Sequence, residues 1–165
     1  MSKHKGPEER ARALKEQVYA SFTGLAIVTV FALDPGHTTA IDALLTLLAG
    51  IVGITIAGFV AEVLSHLVSH RALPTPAEVR TMVRIAAGAI ASASIALIAL
   101  AAAWVGLFSL GIALQVSVGI YLLTLGIIAM TAAYRTGLPW RHQLIAFGGL
   151  VGLGAIVIAV LVLAH

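Results

Sequence analysis

The sequence predicts an all-α integral membrane bundle of five transmembrane helices, N-terminus cytoplasmic and C-terminus outside. Three observations predict it. First, 60% of the 165 residues are hydrophobic and 10% charged, with a mean hydropathy of +1.05, whereas a soluble domain carries about 25% charge. Second, five apolar runs are each bounded by turn or interface chemistry. Third, the Lys and Arg residues fall in three places only, and a five-span chain puts all three on one side of the bilayer.

Residues 1–17 form a charged, helix-prone segment before the bundle of 18–165. From Pro7 it is expected to lie as a helix at the membrane surface, with Leu14 and Val18 on one side, before the chain turns inward. The first span covers about 18–33, short for a ~30 Å core, so preceding helical turns add to its length. The basic start leads into an apolar segment followed by further spans, so no cleavable signal is expected. Asp34-Pro35-Gly36-His37 then turns the chain, because proline fixes φ and glycine tolerates the left-handed region.

Thr39 and Asp42 have the spacing of a capping box and open the second span, about 40–69. Its run from Ala43 to Ala61 is free of charge and long enough to cross by itself, so the helix is expected to project beyond the bilayer. Leu73-Pro74-Thr75-Pro76-Ala77-Glu78 is both a break and a start, with Thr75 as N-cap and Pro76 in the first helical position. The third span follows over about 79–103, with Trp104 at the far interface. The fourth takes about 108–134, where Gln115 and Tyr121 read as partners in interhelical hydrogen bonds. Trp140 marks the next turn, and the fifth span takes about 143–163.

Orientation follows from Lys3, Lys5, Arg10, Arg12 and Lys15 in the tail, Arg71, Arg80 and Arg84 in the second connector, and Arg135 and Arg141 in the fourth. Positive residues favour the cytoplasmic side, which leaves His165 outside. A multi-pass protein of a bacterial-type inner or plasma membrane is expected. Glycines such as Gly50, Gly53, Gly58, Gly88, Gly148 and Gly152 supply small faces that let helices approach, within one chain or across a homodimer.

Polar chemistry concentrates at the end of the second span, where Glu62, His66 and His70 recur every four residues. They share one helical stripe roughly 12 Å long at ~1.5 Å rise per residue. Two roles fit: a solvated helix edge, or ion and proton handling, since a carboxylate with imidazoles suits a divalent metal as well as a proton. Asp34, His37 and Asp42 in the external turn form a second, accessory candidate, although turn and cap chemistry account for both aspartates. No triad, phosphate loop or paired-carboxylate site stands out, so enzyme activity is not expected. Cysteine is absent, which removes disulfides and thiolate ligands, and the short basic tail is no basis for nucleic-acid binding.

Two segments carry a family resemblance. Tyr19-Ala-Ser-Phe-Thr23-Gly24-Leu-Ala-Ile-Val-Thr29 resembles the first span of vacuolar iron transporter-like proteins, and Leu48-Ala-Gly50 through Ala61-Glu62-Val63-Leu64-Ser65 resembles their Gly/Ala-rich second span. The resemblance implies a five-span homodimer, a pathway between protomers and Glu62 as a translocation-site acid. It departs at two metal ligands: the family's first-span aspartate falls at Thr23 and its second-span methionine at Gly58. Together these readings predict a divalent-cation transporter working by proton exchange, with Glu62 and His66 handling ion and proton and no cofactor beyond the transported metal. The alternative is a non-transporting scaffold or accessory subunit, in which Glu62 pairs with Arg80 or Arg84.

Overall fold

The computed structural model describes residues 6–135 and 139–164. Lys3, Lys5 and His165, which enter the orientation argument, lie outside them. Among the described residues the chain is helical throughout: α1 (Pro7–Leu33), a 3-10 turn (Pro35–His37), α2 (Ala40–His70), α3 (Pro76–Ser92), α4 (Ser94–Trp104), α5 (Leu110–Arg135) and α6 (Trp140–Ala164). Four of these helices are long and apolar enough to cross a membrane, and a fifth crossing results if α3 and α4 count as one bent span.

The start of the chain differs from expectation. Pro7 opens a single 27-residue helix that continues unbroken through residue 17 into the apolar stretch. No turn separates a surface helix from a span, since Ala11-Arg12-Ala13-Leu14-Lys15-Glu16-Gln17 contains neither glycine nor proline and every residue favours helix. The charged turns of α1 are thereby carried alongside α2 and α3.

The capping boxes at Thr39 and Thr75 are both formed. The Asp42 N–H donates to Thr39 Oγ1 at 3.2 Å and the Thr39 N–H to Asp42 Oδ2 at 3.4 Å. At α3 the Thr75 N–H donates to Glu78 Oε2 at 2.7 Å, with Pro76 in the first turn. Two orphan donors are satisfied reciprocally in each case. Arg71 ends α2 in the left-handed conformation, φ 51°, its N–H donating to the Leu67 carbonyl at 2.9 Å.

The third apolar run is also not the single straight helix expected. It bends by 44° at Ala93. Ser92 Oγ donates to the Ala89 carbonyl at 2.6 Å and Ser94 Oγ to that of Ala91 at 2.7 Å, while the Ala93 N–H reaches Ile90 at 3.1 Å. Serine hydroxyls and a three-residue backbone bond here compete with the regular four-residue ladder, which tightens and redirects the helix without a proline.

Packing is organised around α1 and α5. Helix α1 packs against α2, α3, α5 and α6, and α5 against α1, α4 and α6. Leu25, Val28, Leu47, Ile51, Leu100, Leu114, Tyr121 and Leu125 form the centre. Gly24 permits a close approach of α5, because a Cβ there would run into the Tyr121 ring. Helix α6 is peripheral, with only 6% of its apolar window buried against 44% for α5. Gly148 and Gly152, expected to support packing, face open space, so they bring no helix of this chain closer.

Candidate functional site

The N-terminus of α1, the C-terminus of α2 and the N-terminus of α3 meet at one end of the bundle, called here the charged end. The first turns of continuous helix α1 bring Arg12, Lys15 and Glu16 opposite Gly58 and Glu62 of α2. Arg12 Nη1 lies 2.7 Å from Glu62 Oε1, a charge-assisted hydrogen bond in length. Lys15 Nζ stands between two acids, 3.5 Å from Glu16 Oε1 and 3.9 Å from Glu62 Oε2. Two carboxylates and two cations therefore form one closed group, as the cost of burying charge demands.

Glu62 keeps 17% of its side chain accessible, and Glu16, at 8% for the whole residue, is buried. The Glu16 carboxylate rests against Gly58 so closely that a Cβ there would collide with it. The position that the resemblance assigns to a methionine is thus filled from another helix. Sequence reading passed over Glu16 because it lies in a charged tail; its signal was position, four residues before Ala20 on the stripe that continues through Gly24 and Val28.

His66 is separated in role from Glu62. Its Nε2 is 3.8 Å from Glu78 Oε2, the same carboxylate that caps α3, and its ring lies 4.4 Å from that of His70 at a 36° tilt. The carboxylate partners expected for Glu62, Arg80 and Arg84, are not its counter-ions: Arg84 reaches Glu9 at 3.6 Å, and Arg12 and Lys15 from α1 serve Glu62. Among the described residues no three His, Asp or Glu side chains are grouped to hold a metal. Glu62 and His66 thus have counter-charges of their own.

Two spaces adjoin this network. A vestibule of about 530 Å³ is bounded by Glu9, Arg12, His66, His70, Glu78 and Met82. Deeper in, a cavity of about 20 Å³, room for a single water molecule, is lined by Arg12, Glu16, Thr55, Gly58, Glu62 and Met82 among others. Arg12, Met82 and Ile85 border both. An arginine held by a carboxylate hence borders both spaces.

The accessory candidates resolve locally. His37 Nδ1 is 2.9 Å from both carboxylate oxygens of Asp34. The hydrogen bond from Asp34 and its negative charge hold the His37 imidazole above the ordinary histidine range. Asp42 is occupied by the capping box. All three are exposed and none adjoins the charged end.

No family model, no curated protein and no solved structure matches this chain. The resemblance to vacuolar iron transporter-like proteins accordingly rests on its two quoted segments.

Proposed function

We propose that this protein is a membrane transporter that exchanges a divalent cation for protons, with the charged end on the cytoplasmic side of a bacterial-type membrane. The observation that carries the proposal is the position of Glu62: it lines a water-sized cavity together with Glu16 and is held by Arg12, which also borders the vestibule. A cation entering past His66, His70 and Glu78 meets an acid already neutralised by Arg12. Binding then has to displace that guanidinium, and the two positive charges cannot share Glu62 without cost. Competition of this kind links ion entry to a charge leaving the cluster, which is the requirement for exchange. His66 lines the vestibule and lends it an imidazole.

The test is reconstitution of the full chain in liposomes, with proton flux recorded on addition of Mn²⁺ or Fe²⁺. Wild type is expected to move protons against the cation gradient and Glu62→Gln to lose the flux. No flux in wild type sinks transport; equal flux in the variant keeps transport and removes Glu62 from it.

A second reading, a scaffold or accessory subunit, is favoured by one observation. Glu62 is neutralised within the chain, as a structural ion pair would be, while Gly148 and Gly152 on α6 are open to a further helix. Copurification of a stoichiometric partner, with no flux, would decide for it.

A further inference from the structure

Among the described residues, four buried hydroxyls of the bundle have no hydrogen-bond partner: Ser21 and Thr29 on α1, Ser117 and Tyr121 on α5. Tyr121 was expected to bond across helices, and its ring does cross to α1, but its hydroxyl finds no acceptor there. The fold satisfies equivalent groups elsewhere. Thr55 Oγ1 donates to the Ile51 carbonyl at 2.7 Å and Thr124 Oγ1 to that of Ile120 at 2.8 Å, the usual recourse of a hydroxyl on an apolar helix.

Two of the four lie on each of two helices that pack together. On α1, residues 21, 24, 25, 28 and 29 follow the i, i+3, i+4, i+7, i+8 pattern of one face, and Ser117 and Tyr121 share a face of α5. Gly24, against which the Tyr121 phenol lies, stands about 4.5 Å along α1 from Ser21 and about 7.5 Å from Thr29. The stretch from Ser21 to Thr29 therefore extends over roughly 12 Å of a ~30 Å apolar thickness. Glu16 lies about 7.5 Å before Ser21 along α1 but about 140° round it, against Gly58 of α2.

We infer that this α1–α5 seam binds water molecules and carries protons through the middle of the bundle. A buried hydroxyl without a protein partner is costly, and water bonded to several such groups removes that cost. A hydroxyl both donates and accepts, so a chain of hydroxyls and waters passes a proton on by exchanging which partner donates. The nearest acid along α1 toward the charged end is Glu16, whose carboxylate lines the water-sized cavity. The groups facing it are Arg12 and Lys15 on α1, Glu62 and Thr55 on α2, and the apolar Met82, Ile85 and Ala86 on α3. The proton is taken up from and returned to water, so no further reactant is needed.

The assignment deepens the transport reading by naming its proton route, and its primary test does not depend on transport. Hydroxyl-radical labelling of the intact protein in lipid nanodiscs, read by mass spectrometry, marks buried side chains that touch bound water. Tyr121 is expected to be oxidised although only 1% exposed. The Ser21→Ala/Ser117→Ala variant, small changes that keep the packing, is expected to lower that labelling several-fold while leaving the exposed Tyr19 and Tyr134 unchanged. An unlabelled Tyr121 in wild type, or labelling indifferent to the two serines, overturns the bound water. If liposomes show cation-driven flux, Tyr121→Phe is expected to slow proton movement by about tenfold with cation binding retained, and flux at the wild-type rate overturns the route. Absence of flux in wild type removes transport, and labelling then decides the hydrated seam by itself.

Discussion

The two ends of α2 use the same residue types to different effect. At its start, Asp34 pairs with His37 and Thr39 with Asp42, each within three residues, and all four are exposed. At its finish, Glu62 and His66 are completed by Arg12, Lys15 and Glu78, which arrive from α1 and α3. Polar groups with local partners shape the chain and are then spent. Those whose partners come from distant elements can be separated by a ligand, and this is why the charged end and not the turn before α2 is the candidate site.

The contrast can be broken most severely at Arg12. Arg12→Ala leaves the Glu62 carboxylate without its short counter-ion, and a loss of about 2 kcal/mol is expected, below the 3–5 of a fully buried pair because Arg12 is itself half-exposed. Thermal unfolding in detergent measures it. Removing Glu62 together with Arg12 should cost less than the sum of the single changes, as coupled neighbours do. Strict additivity would place the pair among inert surface contacts and weaken the site.

A smaller effect is expected at the other end. Thr39→Ala removes the cap of α2 and should cost about 1 kcal/mol with cation-driven flux unaltered. Flux lost in step with Thr39 would mean that the turn before α2 is more than structural.

The smallest effect is a pH response confined to the turn. Since Asp34 raises the His37 pKa, the pair's contribution is fully present below the unfolded value of about 6.5 and disappears as pH rises through the folded value. An NMR titration should find His37 above the ordinary range and Asp34→Asn should bring it back. An unshifted wild-type imidazole would remove the pair.

Much of the fold was legible. Thr39 with Asp42 and Thr75-Pro76 with Glu78 marked helix starts because a capping box is a contact between residues three apart. Glu62 stood out because one acid in a long apolar helix is costly. The bend at Ala93 was less legible: serines near a small-residue run signal that a hydroxyl can reach back to the backbone, but not that two will do so at once. Glu16 was not legible as part of a site, since nothing in the charged tail distinguishes it from Glu8 or Glu9 until α1 is laid against Gly58.

Composition, charge placement and turn chemistry thus determined by themselves that the chain is helical, apolar and punctuated at residues 34–39 and 71–75, because those properties depend on neighbours in sequence and on transfer from water. Which acid meets which cation was decided only by the tertiary structure. Arg12 meets Glu62 because α1 continues straight past residue 17 and lies beside α2. Electrostatic pairing depends on distance in space, and for residues fifty apart in the chain that distance is set by packing.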